Sequence, residues 1–512
     1  LNTLNGYTTG VVTASTVQAL TGTATVLNTL LTAGNDTNQF SSDSFSSLAT
    51  ATVSDSTLSV AHLNGAISAA NTATAATSTV FSLSDGATIN GGAELAFTTL
   101  LGYESGRQVS ITDQNLTVDS GTLSVSNANQ LDATTTGTVT ADIATDSTVD
   151  NLATLTGTNA YTIVIASGDA TGSTAAEFNT INGATSVAVD ASAVTGLASD
   201  SIANIKTLLT AGNDTDQFSA NSFSILATAV VNDSTLDVSD LNDAITQANS
   251  ATGGTTTSFT IAAGITINGG TASDFTTLLA NETASQVSIT DQNLTVDDGT
   301  ITVANARDLS AATTGTVTGT IESGTTIAAM VDSSSGLTET SNAYTITIAS
   351  GDAETTAANL TSLYGKTSVE VDASAVTQIT GTVAEANIVY AAGTSEIIGL
   401  GNEAVVTTET GLNDASAEGT VAALNTLDTK TTGTINAGSI TSMTGSLADL
   451  LTAYGSNGIT GLANETLTVS DTSTLEASDL NSLDSKTSGT VTTSDSLATL
   501  TGSVAALTTA YG

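Results

Sequence analysis

His62 is the only histidine in the chain and cysteine is absent, so any catalytic dyad built on imidazole must use this one ring. The matching position one long repeat later is Asp240. A site that is His in one copy and Asp in the other reads as a solvated helix residue. The 49 Asp+Glu residues can supply carboxylate pairs for general acid–base work, the chemistry of polysaccharide-cleaving enzymes. Such enzymes generally set a basic residue or a metal beside the acids. Arg107 is the candidate, with Asp113 as the acid to test, but the repeat equivalent of Arg107 is Ser285. Among so many carboxylates near neighbours arise by chance, so the chain is read as non-enzymatic, with a polysaccharide-active enzyme as the third choice.

Oxygen-rich turns offer a second chemistry. Asn35-Asp36-Thr37-Asn38 with Asp43, and Asn213-Asp214-Thr215-Asp216, gather Asp, Asn and backbone carbonyls, the ligands that calcium takes. Asp36, Asp43, Asp214 and Asp216 are the calcium candidates. The Gly-Asn-Asp step resembles part of the calcium-binding nonapeptide of repeats-in-toxin proteins, without its full Gly-Gly-x-Gly-x-Asp pattern. Asn and Asp also fill turns for conformational reasons alone. Thr138-Val139-Thr140 and Thr316-Val317-Thr318 resemble the Thr ladders of ice-binding solenoids, but Thr434-Ile435-Asn436 breaks the ladder, and Thr suits any exposed strand face. Gly91-Gly92 and Gly269-Gly270 lack the following Gly-Lys-[Ser/Thr] of a phosphate loop and read as tight corners.

These residues must be positioned by an unusual chain. It has 512 residues, no Cys, Pro or Trp, and 6 Lys+Arg, for a net charge of -43. Such a surface repels phosphate backbones and anionic headgroups, which excludes nucleic acid as a partner. At ~0.5 M salt the Debye length falls to roughly 4 Å and most self-repulsion is screened, so a salty or calcium-containing medium suits it. Disordered chains are poor in β-branched residues, whereas Val, Ile and Leu recur here at regular places and 39% of residues are hydrophobic. With aromatics at 3%, the core must be thin and aliphatic, which favours stacked repeats over a globule. No run approaches a membrane span, so the chain is not membrane-spanning.

Internal repetition sets the architecture. Thr32-Ala33-Gly34-Asn35-Asp36-Thr37 returns at 210–215, Thr88-Ile89-Asn90-Gly91-Gly92 at 266–270, and 108–116 at 286–294, a period of about 178 residues. The spacing grows to about 183 at Ile165-Ala166-Ser167-Gly168-Asp169 and 348–352. The expected organisation is 1–30 as the end of a preceding unit, 31–208 and 209–390 as two copies of a long module, and 391–512 as shorter repeats of about 56 residues, all in one continuous solenoid. Short β-branched runs (51–54, 79–83, 109–112, 138–140, 161–165, 186–189) read as strands. Helix-spaced stripes lie between them: Val60, Leu63 and Ile67; Ile202, Ile205, Leu208 and Leu209, ending before Gly212; and Leu447, Leu450, Leu451 and Tyr454 behind the N-cap Ser446 and before the stop Gly455. One strand and one short helix per roughly 24–30 residues predicts a parallel β-solenoid with short helices, an α/β, leucine-rich-repeat-like coil. About 17 strands at 4.8 Å spacing give a rod on the order of 80 Å. An all-β solenoid is the alternative. Tyr7, Tyr454 and Tyr511 sit at one corner of their repeats, where packing is expected.

The C-terminal third carries Gly458-Ile459-Thr460-Gly461-Leu462-Ala463-Asn464-Glu465, then Leu467-Thr468-Val469-Ser470-Asp471-Thr472, then Ala477-Ser478-Asp479-Leu480-Asn481-Ser482-Leu483-Asp484 and Thr487-Ser488-Gly489-Thr490-Val491. This resembles the repeats of very large secreted cell-surface proteins of marine unicellular cyanobacteria, a group that includes a giant protein required for swimming motility, and arrays in repeats-in-toxin adhesins. The match spans about 400–512 and 1–30. The resemblance implies type I-like secretion, an extracellular or cell-surface location, calcium-linked behaviour, and a structural, adhesive or motility role; it supplies no catalytic residue. Because Leu1-Asn2-Thr3-Leu4 recurs at 424–427, the sequence reads as a piece of a longer array with an open sheet edge at either end. The expected function is a structural rod, filament or surface layer, partnered by itself head-to-tail or laterally. The alternative is an adhesin for cell-surface glycans.

Overall fold

The computed structural model describes residues 1–74, 79–169, 171–253, 256–338, 341–393, 395–413 and 419–511. It is an α/β fold of many short parallel sheets with eighteen α-helices among the described residues. Two compact units account for it. The first comprises Leu1–Ser234, Asp240–Ala262 and Asn281–Ser288; the second comprises Thr235–Ser239, Ala263–Ala280 and Ile289–Gly512.

In the first unit one sheet runs Ala19–Gly22, Thr50–Val53, Val80–Ser82, and a second runs Thr57–Ser59, Thr88–Gly92, Asn115–Leu123, Val139–Ile143, Ala160–Thr162. A third joins Gly196–Asp200, Thr228–Val231 and Ser258–Ile261. Every pairing is parallel, and each partner lies one helix further along the chain. The register stacks like on like: Leu58 faces Ile89, Ile89 faces Leu116, and Leu116 faces Val139. All four are at most 3% exposed. In the second unit the column Leu236, Ile267, Leu294, Val317 repeats this arrangement, inside a seven-stranded sheet that runs on to Ile397–Ile398. There the columns Val405, Ile435, Ile459 and Leu412, Met443, Leu467, Val491 form parallel stacks of their own. Proline's absence fits, because a ladder strand needs its N–H.

The expected single strand per helix is too few. The chain from Val383 to Leu412 sets one helix before three strands, at 397–398, 404–407 and 411–412, and Val421 to Gly445 sets one before two. The all-β alternative is overturned, since the apolar stripes are helices. Ile202–Gly212 and Leu447–Gly455 begin at the caps Ser201 and Ser446, whose hydroxyls accept from Asn204 N and Asp449 N. Val60, Leu63 and Ile67 are fully buried along Val60–Thr74. Two expected strands fail: 109–112 and 186–189 make only isolated bridges, such as Phe81 with Val109 and Val189 with Phe218.

Three bonds recur between successive helix–strand repeats. The fifth residue of a helix is often an Asn that donates to the carbonyl of the third residue of the next: Asn64 to Ala96, Asn179 to Asn204, Asn387 to Ala423, Asn425 to Asp449 and Asn481 to Ala506, at 2.7–3.0 Å. A carboxylate 24 to 31 residues ahead accepts the free N–H in a helix's first turn: Asp55 from Ala24, Asp200 from Ala176, Asp233 from Ile202, Asp352 from Ile327, Glu409 from Val383 and Asp471 from Leu447. These are orphan donors that the helix cannot satisfy itself, and the macrodipole favours an anion there. Finally, Thr135, Thr313, Thr431 and Thr487 each donate to the carbonyl one repeat back, of Gln114, Gln292, Glu403 and Glu465, and accept the N–H of the Gly two residues on.

Candidate functional site

Arg107 follows the helix Glu94–Ser105 in the left-handed region, at φ 57. Its N–H bonds Glu104 O, and Gln108 N bonds Tyr103 O. This is the helix-ending conformation that usually takes Gly; here it turns an exposed cation outward beside the negative helix end. Ser285 repeats the turn at φ 59 with the same two bonds, to Glu282 O and Asn281 O.

The turn forms one wall of an open cleft of about 480 Å³, whose lining includes Val80, Phe81, Asp85, Glu104, Arg107, Asp113 and Gln114. Phe81 supplies a buried floor, 1% exposed. Glu104 Oε2 accepts Ile111 N at 2.8 Å, which fixes the loop after the helix. Asp113 Oδ1 accepts from the Gln114 side-chain amide. Gln114 is 2% exposed and its Oε1 has no hydrogen-bond partner. Among the described residues the ion pairs are Lys206 with Asp240 and Asp243, and Arg307 with Asp308; Arg107 is in none of them, although three carboxylates line its cleft. The sequence singled out Arg107 and Asp113, and the structure brings them together. Asp85 and Gln114 were missed, because they come from different turns of chain and neither has a local signature.

The calcium candidates serve their own turns. Asp36 accepts Asn38 N, Asn38 Nδ2 and Gln39 Nε2; those bonds, Gln39 first, hold its carboxyl below the usual carboxylate range. Asp214 accepts Asp216 N and Gln217 Nε2 and is lowered likewise, chiefly by Gln217. Asp43 and Asp216 share the loops of Asp36 and Asp214, and their carboxylates accept none of these bonds. The loops close over paired rings, Phe40 with Phe45 and Phe218 with Phe223, at centroid distances of 5.5 and 5.2 Å. Among the described residues no group of three or more His, Cys, Asp or Glu is placed to hold a metal ion.

His62 Nδ1 lies 3.0 Å from Thr25 Oγ1 on the neighbouring helix, and its equivalent Asp240 accepts from Lys206 at 2.8 Å, so both copies use this position between helices. Gly91 is a tight corner, at φ 75, with its N–H on Asp119 rather than open to a phosphate. Tyr454 packs with its hydroxyl on Glu465, whereas Tyr7 and Tyr511 are 86% and 80% exposed. Burial pushes the Tyr344 phenol up to about 12. No described helix is long and apolar enough to cross a membrane. No protein-family model matches the chain, and no curated protein sequence matches it.

Proposed function

We propose that the chain is a structural, non-enzymatic repeat protein of the cell exterior. Its helix–strand units stack as a parallel β-solenoid and serve a rod, filament or surface layer with a coat, adhesive or motility role. One observation carries the reading: the same Asn, carboxylate and Thr-Gly bonds recur from unit to unit, so each unit is completed by its neighbour. That is the physics of an array, in which single units are unstable and stacking supplies stability. The acidic, cysteine-free composition and the resemblance of the C-terminal third to secreted surface repeats support the exterior location. Its partner is a further copy of the same repeats, added at an open strand edge. Electron micrographs and diffraction from oriented protein test this. Elongated particles with a spacing of about 4.8 Å along one axis are expected; compact particles without that spacing would overturn it.

A further inference from the structure

We propose that the Arg107 cleft binds a neutral saccharide through a pair of adjacent hydroxyls. A sugar hydroxyl donates one hydrogen bond and accepts others, so its receptor must offer both kinds of group side by side. Here the Arg107 guanidinium is a donor fork with no ion pair, and the acceptors are the Asp85 and Asp113 carboxylates that line the same cleft. Val80, 43% exposed, and Phe81 give the cleft an apolar side. At about 480 Å³ it falls within the range of small-ligand sites.

Charge weighs against anionic ligands. Asp85, Glu104 and Asp113 outnumber the one guanidinium, which disfavours uronates and sulfated sugars.

The second long module is an internal control. It keeps Phe259, Glu282, Asp291, Gln292 and the left-handed turn, but has Ala263 in place of Asp85 and Ser285 in place of Arg107. There Gln292 Oε1 accepts Ile265 N at 3.0 Å, whereas in the first module Ala87 N bonds Ser84 O and Gln114 Oε1 is enclosed without a partner. In sequence the two copies thus differ at two of the polar positions that line the cleft, 85 and 107, and agree at 113 and 114. The inference stands apart from the structural role, since an array carries a sugar site or lacks one equally well.

The test titrates the whole chain with cellotriose, mannotriose, isomaltotriose, trigalacturonate and trilysine, followed by ligand-observed NMR. Saturable binding of at least one neutral trisaccharide is expected. The double exchange Asp85→Ala with Arg107→Ser should weaken it by about tenfold or more, because the sugar hydroxyls then lose both the donor fork and one carboxylate acceptor. The variant's melting temperature should hold, as its residues are those of the other copy. Arg107→Lys, which keeps the charge and loses the fork, should weaken binding as well and decides the matter if the double variant does not fold. Saturation by trilysine or trigalacturonate alone, by none of the five, or undiminished in the variants would overturn the proposal.

Discussion

The acidic side chains are working parts of the backbone's hydrogen bonding. Asp471 accepts Leu447 N at 2.7 Å from 24 residues ahead, where Ser446 already serves the Asp449 N–H. Asp471→Ala should lower stability by about 1 kcal/mol, the usual cost of a lost helix cap, and Asp471→Asn by less, because the acceptor survives and only the charge at the dipole is lost. Urea melts at neutral pH measure both. Glu94 is a related case: the Ser124 hydroxyl first, then Asn127 and the Ser124 N–H, hold its carboxyl below the usual range against the opposing effect of burial. Asp274, held by Thr271, and Asp372, held chiefly by Ser374 N, are lowered too. A carboxylate lowered in the folded state binds fewer protons there than when unfolded. Its stabilisation is therefore full above the ordinary carboxylate range, near 4, and is lost as pH falls through the folded value. In ~0.5 M NaCl, where long-range repulsion is screened, the melting temperature should drop between pH 5 and pH 3, and Glu94→Gln should make that dependence shallower.

At the scale of elements, the Thr-x-Gly turn fixes how closely one strand layer approaches the next. A Cβ built on Gly489 would lie 2.2 Å from the Glu465 carbonyl oxygen, a backbone atom that also accepts Thr487 Oγ1. Gly102, inside the helix Glu94–Ser105, has no atom within 4 Å of the same position. Gly489→Ala should cost several kcal/mol or abolish the local pairing, while Gly102→Ala should stabilise by about 0.5–1 kcal/mol. Thermal melts of the two variants, expected to move in opposite directions, check the pair. The buried Glu403 receives Tyr390 Oη at 2.9 Å and Gly401 N on both oxygens. Gln114 and Gln292 hold the matching place before the other Thr-x-Gly turns, so Glu403→Gln should be tolerated where Glu403→Ala costs about 2–4 kcal/mol by stranding buried donors.

These same elements show what a sequence can reveal here. The helices 202–212 and 447–455 were legible because Ile202, Ile205 and Leu208, or Leu447 and Leu450, mark one face within a single segment. The two-residue strands at 397–398 and 411–412 were not, since their pairing comes from Val371 and Ser442 in other repeats. For the same reason no reading of isolated turns finds that Asp233 caps Ile202. The signal that was present is positional: an acid standing about one repeat beyond a Ser or Thr that starts an apolar stripe. In the cleft, Arg107 and Asp113 stood out by type, while Asp85 reaches it from a turn of chain one helix earlier and carries no local signature.

For the molecule as a whole, attraction and repulsion act over different distances. The carboxylate caps are contacts of 2.6–3.0 Å, shorter than the roughly 4 Å Debye length at ~0.5 M salt, and they persist there. The repulsion among 49 acidic residues set against 6 basic ones is spread over the surface at larger separations, so salt removes it selectively. Few attractive ion pairs stand to be weakened, and those of Lys206 and Arg307 are partly solvated, where an ion pair contributes about 0–1 kcal/mol. Sodium chloride between ~0.01 and ~0.5 M should therefore raise the melting temperature monotonically, with a steeper rise at pH 7 than at pH 4, where part of the carboxylate charge is already neutralised. A melting temperature that is flat or falls with salt at pH 7 would show that local ionic attraction, rather than self-repulsion, governs the stability of this chain.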